Sequence, residues 1–398
     1  MKFKGNGFFF EENLSLPMPF RVHLLLAVLL MSPGFAVGIY ADNSAYALYS
    51  EEAMRIANSL DDSALAAQVL LTGIEGKTTL SPAMRRLLER IPAGGIMLFR
   101  YNLDTPREDV KMLLSETADL VSAKNGIPPF MAVDHEGGLV HRFGDDVERL
   151  PSAYSFWELA QAQGIPAAMA KADAHYRRSA LEIRELGITM VLGPLAETLD
   201  ADNRAFLDTR SYGPSRYFVE MMASAFVRGM DAAGIASVVK HFPGNTATDP
   251  HSGVSGIRAG KGGLDEMARP FAGVIRNLAP QAVMISHVIV PALDPMRNAS
   301  LSRAVIQGWL RGELGFEGMV VADDFSMGAV NVPSPAAAGI EALNAGVDMI
   351  MVWPKDLSAT HAALLGALGN GRLPRERLVE AAARIIAGKL RYGLIGKE

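Results

Sequence analysis

Short apolar runs alternate with amphipathic stretches along most of the chain. Eight of these runs have the length and composition of buried β-strands, and the stretches between them have helical character. The runs occupy residues 69–72, 95–99, 130–134, 188–193, 235–240, 282–287, 319–322 and 348–352. Because strands that alternate with helices pair in parallel, this order predicts a parallel α/β fold.

Helix signals stand between the strands. Thr105-Pro106-Arg107-Glu108 predicts a capping box with proline at the first helical position, and Asn344-Ala345-Gly346 predicts a helix end. A last helix is expected from Pro374 to about Leu390. Eight repeats without a glycine-rich dinucleotide fingerprint favour a (β/α)8 TIM-type barrel over an open sheet. No change of composition marks a second domain, so we expect one catalytic domain over residues 50–395.

Composition and charge narrow the functional class. The chain has 398 residues, 49% of them hydrophobic, and a net charge of −5 with no long basic run. This argues against a nucleic-acid partner. Cysteine is absent, which excludes disulfides, thiolate metal sites and a cysteine nucleophile.

The N-terminal region predicts export. An apolar stretch at residues 24–31 follows Arg21 and precedes Ser32-Pro33-Gly34 and several small residues, so residues 1–41 read as a secretory signal. An uncleaved membrane anchor is the alternative, although the apolar core is short for a span. Met18 is a second candidate for the start of translation. We therefore expect a periplasmic or extracellular protein that contacts a membrane only through this segment, if the segment is not cleaved. We also expect a monomer.

Ionisable residues collect where the predicted strands end. Their positions are Asp134 and Glu136 after the third strand, Arg210 beyond the fourth, Lys240 and His241 at the fifth, His287 at the sixth, and Asp323 and Asp324 at the seventh. Each could have a structural role of its own. Together they would be costly to bury at one barrel mouth without a function, and that mouth is where barrel enzymes carry their active sites.

Several motifs carry a family resemblance over roughly residues 60–360. They are Gly94-Gly95-Ile96-Met97-Leu98-Phe99, Asp134-His135-Glu136-Gly137-Gly138 with Arg142, Lys240-His241-Phe242-Pro243-Gly244, and Ala322-Asp323-Asp324-Phe325-Ser326-Met327. In this order they resemble the glycoside hydrolase family 3 barrel, in particular its β-N-acetylglucosaminidase branch. The resemblance implies an exo-acting retaining glycosidase that removes terminal N-acetylglucosamine from peptidoglycan fragments or chitin-type oligomers.

The resemblance also implies roles for individual residues. Asp323 would be the nucleophile, and His251 with Asp249 would form the acid/base pair on a mobile loop. The sugar would be held by Asp134, Arg142, Arg210, Lys240, His241 and His287. Asp324 is the rival nucleophile; alternate residues of a strand point to opposite sides, so one of the two should face the pocket. Glu136 is the first alternative acid should His251 only bind.

The sequence departs from the family pattern at one loop, and several other functions are compatible with it. The loop after the fifth strand is about two residues shorter than usual in the family, and Pro250 separates Asp249 from His251 and stiffens the backbone there. The alternatives are another sugar specificity, phosphorolysis, a catalytically silent glycan-binding barrel, and a metal-dependent hydrolase with His241, His251, His287 and Asp323 as ligands. The first strand lacks the His-x-His that metal-dependent barrel hydrolases usually carry, so we expect no metal; we also expect no cofactor.

Overall fold

Eight parallel strands form a barrel in the part of the chain that this computed structural model describes, residues 44–145, 147–249, 253–327, 330 and 334–396. The predicted signal segment and His251 lie outside the described residues. The barrel strands are β1 Leu70–Gly73, β2 Gly95–Leu98, β3 Phe130–Asp134, β4 Met190–Leu192, β5 Ala236–Phe242, β6 Ala282–Ile285, β9 Met319–Ala322 and β10 Ile350–Val352; β7 Ile289–Val290 and β8 Asp294–Asn298 form a separate hairpin.

The barrel order is β10-β1-β2-β3-β4-β5-β6-β9, with every neighbouring pair parallel. The ring closes between β9 and β10 through a parallel bridge from Val321 to Met349 and a hydrogen bond from the Ala322 amide to the Met349 carbonyl (3.0 Å). The (β/α)8 fold class is therefore confirmed. All eight strands predicted from the apolar runs are present, with ends that differ by up to two residues.

Helices surround the barrel. They are α1 Ser44–Ser59, α2 Asp62–Gln68, α3 Pro82–Arg90, α4 Arg100–Leu103, α5 Arg107–Ser122, α6 Ala153–Gln163, α7 Ile165–Glu185, α8 Arg204–Leu207, α9 Arg216–Ala232, α10 Lys261–Leu278, α11 Pro335–Ala345, α12 Pro354–Gly369 and α13 Arg375–Arg391. Short 3-10 turns cover Asp208–Arg210 and Ala299–Leu301, and a π-helix covers Ala304–Glu313. None of the described helices is long and apolar enough to cross a membrane.

The helix signals had different outcomes. Gly346 ends α11 in a left-handed conformation (φ 120°), and α13 follows Pro374, so both of these predictions are confirmed. The capping box at Thr105 is wrong. Helix α5 begins at Arg107, Pro106 occupies the N-cap position, and no side chain caps the helix. Because proline has no hydroxyl, the predicted exchange of side-chain hydrogen bonds cannot form at this helix start.

A hairpin of β7 and β8 follows β6 and was not predicted. Its strand β8 is mostly polar, with Pro295 and Arg297 exposed, so it lacks the alternation that marks a half-buried strand. The barrel strands themselves are almost entirely buried, and so are all seven residues of β5. Lys240 and His241 are therefore held rigidly at the end of a buried strand.

Lys389 of α13 is fully buried beneath the barrel, where the strands begin. Its ammonium donates to Gln68 Oε1 (2.8 Å) and lies 5.7 Å from the ring centre of Phe130. Burial lowers the pKa of Lys389 to about 7. One amide oxygen and one ring do not replace the water that a lysine loses on burial.

This burial predicts a pH-dependent stability. Between about pH 7 and the ordinary lysine pKa of about 10.4, the unfolded chain binds more protons than the folded chain, so the free energy of unfolding rises with pH. We expect Lys389→Met to raise that free energy by about 1–3 kcal/mol at pH 6, where the burial cost is fully present, and by less at pH 9. Urea unfolding at both pH values measures this change in the free energy of unfolding, with the exposed Lys124→Met as control. A gain that grew with pH would contradict the assignment.

Candidate active site

The carboxyl ends of the barrel strands surround a cavity of about 310 Å³. Among its lining side chains are six that the sequence predicted to act together: Asp134, Arg142, Arg210, Lys240, His241 and Asp323. They come from β3, from the loops after β3 and β4, from β5 and from the end of β9. The topology places these strand ends at one mouth, which brings together residues separated by up to 189 positions in the sequence.

An ion network occupies one wall of the cavity. Lys240 Nζ lies 2.8 Å from Asp134 Oδ1 and 2.7 Å from Glu136 Oε1, and Arg210 forms two 2.9 Å hydrogen bonds with Glu136. Arg142 reaches Asp134 Oδ2 at 3.5 Å. Because each buried carboxylate has a cationic partner, the network holds its charges in fixed positions, where they can receive the hydroxyls of a sugar.

The network fixes the ionisation of its members. Burial is the largest single effect and raises the pKa of Asp134 and Glu136, but the neighbouring cations together outweigh it: Lys240 and Arg142 for Asp134, and Lys240 and Arg210 for Glu136. The pKa of Asp134 therefore lies below its ordinary value and that of Glu136 well below. Burial lowers the pKa of Lys240, but the carboxylates of Asp134 and Glu136 together raise it by more, so the pKa of Lys240 lies above its ordinary value. Glu136 consequently has no proton to donate near neutral pH, which argues against it as the alternative acid.

His241 is held by a partner that the sequence analysis missed. Glu197 Oε1 lies 2.7 Å from His241 Nδ1 and accepts hydrogen bonds from the His241 amide (3.3 Å) and from Asn245 Nδ2 (3.0 Å). The other ring nitrogen, Nε2, lies 3.9 Å from Asp323 Oδ2. Glu197 thus orients the imidazole towards the Asp323 carboxylate.

Asp323 and Asp324 differ in how their carboxylates are engaged. Asp324 Oδ2 accepts from Trp353 Nε1 (2.7 Å) and from the Ser326 hydroxyl (2.7 Å), and its Oδ1 accepts from the Ser326 amide (2.8 Å). Asp323 Oδ1 accepts from the Asp324 amide (2.9 Å). Among the described residues, Asp323 Oδ2 accepts no hydrogen bond. Asp323 therefore presents an available oxygen to the cavity, whereas Asp324 is committed to its neighbours.

His287 lies behind the cavity wall and is not among the described side chains that line it. Its Nδ1 is 2.8 Å from the Ser300 hydroxyl and its Nε2 is 3.1 Å from the Asp324 carbonyl oxygen. Burial lowers its pKa below the ordinary value. Strand β6 ends at Ile285, two residues before His287. The neutral ring thus supports the backbone of Asp324, and the predicted contact with sugar remains a prediction.

Of the predicted acid/base pair, the structure describes only Asp249. Asp249 is exposed on the loop after β5 and is not among the described residues that line the cavity, and His251 lies outside the described residues. Their roles therefore remain predictions.

Aromatic and thioether side chains complete the cavity. Trp353 follows β10, and its indole stacks on Phe99 with ring centres 5.0 Å apart and planes 15° from parallel. Apolar lining is also contributed by Leu192, Met97, Met284 and Met351. Neither Trp353 nor Glu197 was predicted from the sequence as a site residue. A polar or aromatic residue just after each strand is the signal that could have found Trp353, whereas Glu197 lies five residues beyond β4.

No group of three or more histidine, aspartate and glutamate side chains suited to a metal ion occurs among the residues that the structure describes. Lys240 pairs with Asp134 and Arg210 with Glu136, so the charges of these two carboxylates are already neutralised.

Comparison with known proteins identifies the family of the chain. The profile described as glycosyl hydrolase family 3 N terminal domain matches residues 66–387, which include all eight barrel strands. The chain belongs to glycosyl hydrolase family 3. It is a glycoside hydrolase. Curated relatives include a β-hexosaminidase of Stenotrophomonas maltophilia strain R551-3, 32% identical over 79% of this chain and 95% of that protein, and one of Pseudomonas aeruginosa strain LESB58, 34% identical over 71% and 82%.

Solved structures of this family share the fold. A family 3 β-N-acetylglucosaminidase from Paenibacillus sp. strain FPU-7 has a TM-score of 0.78 and 30% identity over 85% of this chain. A β-N-acetylhexosaminidase from Beutenbergia cavernae has a TM-score of 0.72 and 25% identity over 83% of this chain and 99% of its own. This chain spans 64% of the Paenibacillus protein, so that protein contains further sequence without a counterpart here.

Proposed function

We propose that this protein is an exo-acting, retaining β-N-acetylglucosaminidase that removes terminal N-acetylglucosamine from peptidoglycan fragments or chitin-type oligomers. The observation that carries the proposal is the Asp323 carboxylate, which presents Oδ2 to a cavity lined by buried ion pairs. A retaining glycosidase needs a carboxylate that attacks the anomeric carbon and a proton donor beside the leaving oxygen. The names of the curated β-hexosaminidase relatives support the same activity.

The size and lining of the cavity favour a single terminal sugar. About 310 Å³ suits one pyranose ring with its substituent, and the ion network offers several partners for hydroxyl groups. The methionine and leucine side chains provide an apolar surface for the methyl group of an acetamido substituent. Asp323 would form the covalent glycosyl intermediate, and His251, oriented by Asp249, would protonate the leaving oxygen and then activate water.

The activity is tested with 4-nitrophenyl N-acetyl-β-glucosaminide beside the corresponding β-glucoside, each with and without phosphate. We expect faster release of nitrophenol from the acetamido sugar, N-acetylglucosamine as product, and no requirement for phosphate. Preference for the glucoside would contradict the sugar assignment. Formation of a sugar 1-phosphate would show phosphorolysis, and release equal to that of Asp323→Asn would indicate a silent binding protein.

The pair of Glu197 and His241 predicts a further effect. Glu197→Gln retains the size of the side chain but removes the charge beside the imidazole, so we expect kcat/KM on the nitrophenyl acetamido sugar to fall about 10- to 100-fold. Most of the loss should appear in kcat, because the imidazole that faces the Asp323 carboxylate would lose the charged partner that orients it. Exposed Glu89→Gln is the matched control. A wild-type kcat, or a loss confined to KM, would show that Glu197 does not act through His241.

We also propose that the protein is exported and acts as a monomer. The support for export is the sequence pattern of residues 1–41, which lies outside the described residues. N-terminal sequencing of native protein should find a start between Ala36 and Ala41 in an exported fraction. An intact Met1 or Met18 in soluble cytosol would contradict export, and light scattering would test the monomer.

A further inference from the structure

Residues 286–289, here called the connecting segment, follow β6 and contact both ends of the loop that leaves β5. At the near end, the Ser286 amide donates to the Phe242 carbonyl (2.9 Å) and the Ser286 hydroxyl donates to the Gly244 carbonyl (2.9 Å). Ser286 is 1% exposed, and Gly244 is buried as well. One residue therefore fixes, through its backbone and its side chain, the point at which the loop leaves the barrel.

At the far end of the loop, the chain pairs in parallel with the first residue of β7. The Ile289 amide donates to the Ser255 carbonyl (2.8 Å), and the Ile257 amide donates to the Ile289 carbonyl (2.9 Å). Asp249 and His251, the predicted acid/base pair, lie between the two ends in the sequence. Both points from which the loop extends are therefore held by the connecting segment.

The connecting segment is itself fixed on two further sides. Ile289 pairs with Asn298 in the hairpin of β7 and β8, and His287 Nε2 lies 3.1 Å from the Asp324 carbonyl oxygen. The end of β9, with the Asp323 carboxylate, is thus connected to the loop after β5 through a few backbone contacts. A shift of the loop relative to Asp323 requires that one of these contacts break.

The place at which the loop begins matters for a general acid. A proton donor must lie within hydrogen-bonding reach of the leaving oxygen, and a misplacement of about 1 Å can cost about 100-fold in rate. Without the Ser286 hydroxyl, the buried Gly244 carbonyl would lose this partner, and the chain would shift to find another. The loss of one hydroxyl would thereby move the start of the loop that carries the acid.

We propose that Ser286 is a positioning residue for the loop after β5. By holding the Gly244 carbonyl, it sets the place from which this loop reaches the leaving oxygen. The proposal rests on the proposed function, in which His251 on this loop is the acid. Ser286 is not among the described side chains that line the catalytic cavity, so it would act through the loop and not by touching the sugar.

The test compares Ser286→Ala with the wild type on the disaccharide of N-acetylglucosamine and on a dinitrophenyl N-acetyl-β-glucosaminide. We expect kcat/KM on the disaccharide to fall about 10- to 100-fold, chiefly in kcat. On the activated glycoside we expect a loss of about threefold at most, because its phenol departs with little help from an acid.

Ser122→Ala is the matched control for this substitution. It also removes a hydroxyl that donates to a backbone carbonyl, that of Ala118 in α5 (2.7 Å), and should leave kcat/KM on both substrates at the wild-type value. Thermal midpoints show whether each variant is folded.

Ser286→Ala is also combined with His251→Ala. If Ser286 acts through the acid, its loss should lower activity on the disaccharide no further once His251 is absent. The same fold-loss in both backgrounds would overturn the proposal, because a purely structural role predicts it. Equal losses on the two substrates in Ser286→Ala would overturn it as well. That result is expected if the change acts instead through Asn245, which donates to Glu197 (3.0 Å).

Failure of the proposed function has a different signature. In that case the wild type itself would release no N-acetylglucosamine from either substrate, or His251→Ala would lower kcat/KM equally on both. Leaving-group dependence in His251→Ala without the same dependence in Ser286→Ala would refute the role of Ser286 alone.

Discussion

Asp323→Asn is expected to lower kcat/KM on 4-nitrophenyl N-acetyl-β-glucosaminide by about 10⁴- to 10⁶-fold, the size of loss seen when a covalent nucleophile is removed. Asparagine keeps the shape of the side chain and can still accept the 2.9 Å hydrogen bond from the Asp324 amide, so the thermal midpoint should stay close to that of the wild type. Mass spectrometry with a fluorinated slow substrate should find the sugar on Asp323 in the wild type and no adduct in the variant.

Asp324→Asn is the matched control for this experiment. Its carboxylate accepts from Trp353 and Ser326, so the substitution should disturb the position of the indole and lower activity moderately. The adduct on Asp323 should still form. An adduct on Asp324 in the wild type, or loss of the Asp323 adduct in folded Asp324→Asn, would mean that the neighbouring pair has been assigned in the wrong order.

The fold could be predicted from the sequence because its signals are local. Most barrel strands are apolar runs that stop at glycine, proline or a charged residue, as at Lys240 to Gly244, and these boundaries need no knowledge of the rest of the chain. The hairpin of β7 and β8 could not be predicted in this way, since β8 is mostly polar and carries no apolar run. The capping box failed because the proline itself took the cap position.

The candidate site was predictable as a set of residues and less so as a set of contacts. Strand ends converge in any barrel, which is why Asp134, Lys240 and Asp323 could be expected to meet. Which side chains form hydrogen bonds with each other is harder to predict, because it depends on the direction of each side chain. Glu197 reaches His241 from the loop after β4, and His287 turns towards Ser300 once β6 has ended. Such directions follow from packing between segments distant in sequence.

His251→Ala is expected to lower kcat/KM on a natural disaccharide by about 10²- to 10⁴-fold, the usual contribution of a general acid. On a dinitrophenyl glycoside the loss should be several-fold at most, since an activated phenol departs with little help from an acid. Asp249→Asn should give a milder loss with the same dependence on the leaving group, because it removes only the partner that orients the ring. The measurement is kcat/KM for both substrates in the wild type and both variants.

An equal loss on both substrates in His251→Ala would instead indicate that this histidine binds the sugar. Glu136 is then a poor replacement as the acid, because its ion pairs with Arg210 and Lys240 hold its pKa well below the ordinary value. Comparing His251→Ala with Glu136→Gln separates the cases. Loss of the Glu136 charge should impair both substrates alike through the binding network, whereas loss of the acid should spare the dinitrophenyl glycoside. The dependence on the leaving group, more than the size of either loss, therefore identifies the proton donor.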